Sequence, residues 1–348
     1  MNSLKLIIKF VGGINMASTN ASDSIFGWDF QINAAIVLML EDIENVQKVR
    51  VEGQTEDIEI TLTNGEFVFS QAKALSDPSS TKNVRKKLSD GLGTLNQAAR
   101  LSGVCKLVYI TNAYDPLADK KSMPSFYGQS RKSYSSLMDS AKKVIDNILA
   151  KENYSDIDKS KLFIYTLPFE NDLNDRYKVV IEKVKDFIAS IRSNLSGSAQ
   201  EVLDIWQQQL FENATLHDTA IVLTKKDIMW PLIVIMCDDG FRANPFSEDI
   251  DDGMYDEVSS RYRSFISCKC QKFSFVTRVL SDYQDFVSSK TGNERIIEFV
   301  NNRWNTYLDE FTSDESEEVI NTLVKIILFQ LLRQRYLINE VKKRVNLV

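Results

Sequence analysis

Apolar and polar positions along this chain fall into two regimes. Through the first half, short apolar runs alternate with stripes of helical period, whereas the second half keeps almost only the helical period. Residues 56–62 and 66–73 are rich in β-branched and aromatic side chains and flank Thr63-Asn64-Gly65, a turn signal, so a β-hairpin is expected within 51–73. Upstream, the apolar stretch from Ile32 to Leu40 predicts a helix over 31–44, and Val49-Arg50-Val51-Glu52 reads as a strand. Downstream, Val84, Leu88, Leu92 and Leu95 mark the buried stripe of a helix over 81–101. The continuous apolar run 105–111 is a strand of the buried kind, closing a strand-helix-strand crossover with the hairpin. A basic and aromatic loop over 120–132, a helix over 134–150 and a strand over 162–167 follow.

Beyond this point helices dominate. Val180, Val184, Phe187, Ile188 and Ile191 give a helix over 172–195 its apolar side, Ser196-Gly197-Ser198 breaks it, and 199–213 resumes. The one further strand candidate is 219–223. Thr224 and Asp227 then read as a helix cap and its box acid. Residues 238–256 are acidic and rich in turn formers, suiting a linker or an autoinhibitory segment; EF-hand spacing is not met there. Helices are expected over 255–265, 273–289, 294–311 and 315–346. The last carries an apolar stripe from Val319 to Leu337 that would face a partner, another copy or its own domain. The pattern as a whole predicts an α/β fold: a mixed central sheet flanked by helices, then a mainly α-helical C-terminal domain. We place an N-terminal extension at 1–24, the sheet domain at 25–197 and the helical domain at 198–348.

Composition narrows the function. The 348 residues, 43% of them hydrophobic, suffice for two cores. A net charge of −6 excludes a protein that grips nucleic acid over its whole surface, so any such contact must be a local basic patch. Four cysteines in so long a chain argue for a reducing compartment without a disulfide framework, and Cys268-x-Cys270 is too sparse for zinc. No apolar run approaches the ~18 residues of a membrane span, and 228–236 is short and holds Pro231, so a cytoplasmic location is expected. His217 is the single histidine, which excludes histidine-based nuclease schemes.

The hairpin carries the candidate chemistry. With Asn64-Gly65 as a two-residue turn, Asp57 would lie opposite Ala72, and Gln71 and Lys73 would face away. With Thr63-Asn64-Gly65 as a three-residue loop and Gly65 left-handed, Asp57 falls opposite Gln71 and Lys73 joins the same face. The second register is favoured because it gathers a carboxylate, an amide oxygen and an ammonium. Such a set suits a hard cation, with Lys73 positioning an attacking water or stabilising charge on a phosphate; the alternative is a surface hairpin with outward polar residues. Glu59 shares the strand parity of Asp57. Lys82, Arg85, Lys86 and Lys87 open the next helix, where cations are disfavoured by the dipole, so a phosphate backbone or a solvated face is implied. Arg131 and Lys132 sit in the basic loop and could track a backbone.

Taken in order, Gly27-x-x-x-Gln31 at a helix start, Val49-Arg50-Val51-Glu52, Glu56-Asp57-Ile58-Glu59 and Gln71-x-Lys73 resemble the double-stranded DNA endonuclease domain of bacterial anti-phage effectors. That domain belongs to the PD-(D/E)xK, restriction-endonuclease-like superfamily, is known from CBASS systems and occurs in Lamassu operons. The likeness covers roughly the first half of the chain, and Gln71 in place of the usual acid is shared by this subgroup. It implies largely sequence-nonspecific cleavage of duplex DNA with Mg²⁺, or Mn²⁺ in its place. Asp57 and Gln71 would hold metal, with Glu52, Glu59 and Glu41 as lesser candidates, Glu41 also reading as a solvated helix end. An SMC-like or other ATPase or sensor from the same operon would activate it, in a homo- or hetero-oligomer. A HerA-type ATPase or CBASS-type assembly, or a catalytically silent DNA-binding scaffold, are the alternatives.

Overall fold

The computed structural model describes residues 18–191, 197–237, 244–262, 273–311 and 315–347. They form a mixed α/β chain with a seven-stranded sheet in the order β5-β6-β4-β3-β2-β1-β7. In sequence, α1 (Ser18–Glu41) leads into β1 (Val46–Val51), β2 (Ile58–Leu62), β3 (Phe67–Lys73), α2 (Val84–Ala98) and β4 (Val104–Thr111). Next come β5 (Ser130–Ser133), α3 (Asp139–Lys151), β6 (Leu162–Thr166), α4 (Leu173–Arg176) and α5 (Lys178–Ile191). After them run α6 (Ala199–Ala214), β7 (Leu223–Thr224), α7 (Lys225–Cys237), α8 (Asp252–Arg261), α9 (Phe273–Gln284), α10 (Gly292–Arg303), α11 (Glu317–Arg333) and α12 (Arg335–Arg344). Among the described residues no helix is long and apolar enough to cross a membrane.

The chain packs as two compact units that interleave in sequence: α1 up to Ala35, Val51–Glu59 and Glu66–Val180 make the first, and Ile36–Arg50, Ile60–Gly65 and the chain from Ile181 onward the second. In the first unit, β3 and β4 run parallel, Gln71 beside Tyr109 and Lys73 beside Thr111, and β4 and β6 continue parallel. This is the expected crossover, with α2 as its connection. Leu88, Leu92 and Leu95 of α2 and Ala141, Ile145 and Leu149 of α3 bury against Phe69, Leu107, Tyr109 and Ile164. Burying a Leu-sized side chain contributes about 1.5–3 kcal/mol, so this layer is what fixes α2 over β3. Asn112, 2% exposed, bonds both backbone groups of Leu75 (2.7 and 2.8 Å) and the carbonyl of Phe169 (2.8 Å), tying down the chain as it leaves β3.

In the second unit, β1 pairs antiparallel with β7 through Lys48 and Thr224. Buried Arg50 donates to the carbonyls of Ile221 (2.7 Å) and Leu216 (2.9 Å), and buried Lys225 to those of Glu44 (2.8 Å) and Val345 (2.7 Å). Thr224 and Asp227 form the expected capping box, the Asp227 Oδ2 accepting from the Thr224 N–H at 2.8 Å. Leu323, Ile326, Ile327, Leu331 and Leu332 of α11 are buried, and α11 packs on α8, α9 and α10.

Several sequence expectations are corrected. The helix expected at 31 starts at Ser18, because Phe26 and Phe30, four residues apart, both close on Phe169 with ring centroids 5.4 Å away. The loop expected over 120–132 contains a 3₁₀ turn (Met123–Phe126) and strand β5, whose register with β6 pairs Arg131 with Tyr165. Residues 134–138 precede α3 rather than belonging to it. The single helix expected over 315–346 is two, broken at Gln334, where the Arg335 guanidinium bonds the Leu332 carbonyl at 2.7 Å. Residues 1–17, 238–243 and the Cys268-x-Cys270 pair lie outside the described residues.

Candidate functional site

Strand β3 alternates its faces, so Phe69, Gln71 and Lys73 share one, and Phe69 shows that this is the face α2 covers. The turn before it has Gly65 at φ 82°, a left-handed conformation that costs glycine nothing, with its N–H on the Leu62 carbonyl at 2.9 Å. Asp57 sits just ahead of β2, in a tight loop. The Glu52 N–H bonds the Asp57 carbonyl (2.8 Å) and the Gly53 N–H bonds the Glu56 carbonyl (3.0 Å), closing residues 52–57 on themselves. The Glu59 carboxylate braces the loop from inside, its Oε1 accepting from the N–H groups of Thr55 (2.6 Å) and Glu56 (3.1 Å). Gly53 makes room for it: a Cβ there would lie 2.2 Å from Glu59 Cδ. Glu52 adopts φ 52°, a strained backbone for a residue with a side chain.

This loop aims Asp57 at the end of β3. One carboxylate oxygen, Oδ2, receives the Gln71 amide, the Ala72 N–H at 3.0 Å and the Lys73 ammonium at 3.6 Å. Asp57, Gln71 and Lys73 therefore converge on one side of the strand. The Gln71 amide nitrogen faces Asp57 while its oxygen accepts from the Thr94 hydroxyl of α2. A hydroxyl can donate or accept, so Thr94 can satisfy the amide in either orientation, and turning it over presents the oxygen toward Asp57. Gly91 lets α2 approach this closely, since a Cβ there would lie 2.7 Å from Tyr109 and 3.3 Å from Gln71.

Glu56 is the member of the site that sequence reasoning missed. It is 5% exposed, and neither carboxyl oxygen has a hydrogen-bond partner. Burial first, and then the neighbouring Asp57 charge, push its pKa up to about 8, offset in part by the Lys73 charge and by the nearby Thr94 hydroxyl, whose hydrogen bonds run to Gln71 and the Gly91 carbonyl rather than to Glu56. The adjacent Glu56-Asp57 pair was its only signal, and strand parity pointed to Glu59 instead.

The remaining candidates are dispersed. Lys87 is half-buried and donates to the Ala74 carbonyl, and burial and then Lys73 hold its pKa below the usual lysine range. Lys82, Arg85 and Lys86 are exposed around the start of α2, Arg85 bonding the Ala118 carbonyl at 3.1 Å. Arg131, 4.9 Å over the Phe163 ring, and Lys132 lie on β5 at the outer end of the sheet. Two strands separate β5 from β3, putting them roughly 14 Å apart. Glu41 ends α1 exposed, in the second unit.

Among the described residues no three His, Cys, Asp or Glu side chains group as a preformed metal cage. The donor set here is two carboxyls, Asp57 and Glu56, plus the amide of Gln71. That set fits Mg²⁺, which keeps several waters and is commonly held by one or two carboxylates together with substrate phosphates. The orphaned oxygens of Glu56 point the same way, because a buried carboxyl without a partner is costly unless something compensates it.

The described chain is thus a mixed α/β protein with a polar cluster at the end of a parallel strand. No family model matches it, and no curated protein does. Among solved structures it is similar to Acinetobacter baumannii Cap4, a SAVED/CARF-domain containing receptor with the cyclic trinucleotide 3'3'3'-cAAA. The TM-score is 0.40 at 11% identity over 73% of this chain, which spans 59% of that one. A likeness this loose assigns neither a fold family nor an activity.

Proposed function

We propose that this chain is a metal-dependent endonuclease with a restriction-endonuclease-like core that cuts duplex DNA, acting as an effector in bacterial anti-phage defence. The observation that carries the proposal is the convergence of Asp57, Gln71 and Lys73, with the buried, unpartnered carboxyl of Glu56 beside them. The order of motifs in the sequence supports the same reading, and Lamassu-type activation through an SMC-like ATPase is its finer form.

In this scheme Asp57, Gln71 and Glu56 would hold Mg²⁺, which when bound would supply a Lewis acid and a more acidic water. Asp57 is oriented by the Ala72 N–H and by Gln71 toward Lys73. Lys73 is fixed by Asp57 yet partly open to solvent, so it can orient the attacking water and meet the charge that grows on the phosphate oxygens. Glu59 acts through the loop, holding Glu56 and Asp57 in place without reaching the reaction. Lys82, Arg85 and Lys86 offer phosphate contacts at the start of the helix that covers this face.

The test is a plasmid incubated with the chain, alone and with its operon partners, in Mg²⁺ and in Mn²⁺. Wild type is expected to nick and linearise it, while Lys73→Ala and Asp57→Asn lose at least about a hundredfold in rate, the usual scale for removing one such group. Equal cleavage by the Lys73→Ala variant overturns the assignment.

A further inference from the structure

The second unit contains a feature that nuclease chemistry does not use. Helices α9, α10 and α12 line an open cavity of about 520 Å³, within the size range of small-molecule sites. Its lining includes Arg295, Arg335 and Lys342, and none of its lining residues is acidic. Arg295 and Arg335 both stack on Tyr283, their guanidinium carbons 4.6 and 5.3 Å from the centre of that one ring. Neither arginine has a carboxylate partner among the described residues.

Both are held rigidly all the same. Arg295 donates to the carbonyls of Tyr283 (3.1 Å) and Phe286 (2.7 Å), and Arg335 to that of Leu332 (2.7 Å). Arg295 Nε is buried without an acceptor. Like charges gathered on one ring repel, and leaving a donor unpaired adds to the cost, so stability alone does not explain the arrangement. An anion placed among them relieves the repulsion. Fixed guanidinium planes recognise the paired oxygens of phosphate better than a lone ammonium does. Beside them Tyr336 is 70% exposed, with Arg335 lying 4.3 Å from its ring centre, so one face of that ring is left for a planar group.

We infer that this cavity binds a nucleotide, its phosphate between Arg295, Arg335 and Lys342 and its base against Tyr336. The cavity belongs to the second unit and the Asp57 cluster to the first, and the inference holds whether or not that cluster cleaves DNA. Isothermal titration of the full chain with ATP, with inorganic phosphate and with a short DNA duplex tests it. ATP is expected to bind more tightly than phosphate. Tyr336→Ala, at an exposed position, is expected to weaken ATP at least about tenfold, or 1.4 kcal/mol, with unchanged circular dichroism and melting temperature, and Arg335→Gln, half-buried and bonded to the Leu332 carbonyl, to weaken ATP at least as much with unchanged circular dichroism. No heat with millimolar ATP, phosphate binding as tightly as ATP, or both variants binding ATP like wild type overturns the inference, as does duplex binding that depends on Arg335 while ATP does not bind.

Discussion

Glu56 shows how a single carboxyl couples the candidate site to stability. Its pKa is about 8 in the folded chain against an ordinary 4.5. The folded state therefore holds a proton that the unfolded chain has released between these values, and stability is full below about pH 4.5 and lost as pH rises toward 8. Without divalent cations, urea unfolding of wild type should show a loss of up to about 4 kcal/mol between pH 5 and 9 from this group. Glu56→Gln, which cannot ionise, should lack that loss and be the more stable protein at pH 9. Parallel pH profiles for the two proteins contradict this account. A carboxyl kept at such a cost to the empty fold is more easily understood as part of a cation site than of the scaffold. Reading the sequence could not reach it, because the tight 52–57 loop, which turns Glu56 inward and Glu59 toward the backbone, depends on Gly53 and on a strained Glu52.

Helix α2 is the element that holds the candidate site together, since it brings Thr94 to Gln71 and covers Phe69 and Gln71 while leaving Lys73 partly open. Gly91→Ala tests how closely it must approach. Alanine gains up to about 1 kcal/mol in helix propensity. Against this, its Cβ would press on Tyr109, 1% exposed and unable to retreat, at an expected cost of about 1–3 kcal/mol. The clash should win, lowering the urea midpoint, and cleavage should fall further than stability because Gln71 shifts with the helix. A more stable, fully active variant would contradict this packing argument. The stripe of α2 and the apolar runs of β4 and β6 were legible in sequence because a buried helix face and a buried parallel strand each leave a local periodic mark. Strand β5 left none: Ser130 to Ser133 is a short polar edge whose pairing is set by β6, more than thirty residues away. The break at Gln334 was equally silent, for no glycine or proline marks it, and the continuous stripe from Leu323 to Leu337 masks it. From Leu323 to Leu332 the stripe proved to be buried on the chain's own α8, α9 and α10, a choice periodicity cannot make, while Tyr336 stands exposed.

Charge over the entire chain sets the terms on which it can meet DNA. At −6 it is repelled by a polyanion at long range, so binding must rest on a few local cations and be steep in salt. Lys82, Arg85 and Lys86 are exposed beside the covered face of β3, whereas Arg131 and Lys132 lie on the outermost strand, so the first group is the better placed to grip the backbone next to Asp57. Each phosphate contact contributes about 0.9 to the slope of log affinity against log salt. Replacing Lys82, Arg85 and Lys86 together by glutamine should therefore flatten that slope by about 2.7 and weaken binding similarly across unrelated duplex sequences. None of the three belongs to the Asp57 cluster, so cleavage at saturating DNA should survive in the triple variant while the apparent affinity falls. Fluorescence anisotropy of a labelled duplex from 50 to about 200 mM salt measures the slope. An unchanged slope in the triple variant would place the DNA path elsewhere, with Arg131 and Lys132 next to be tested.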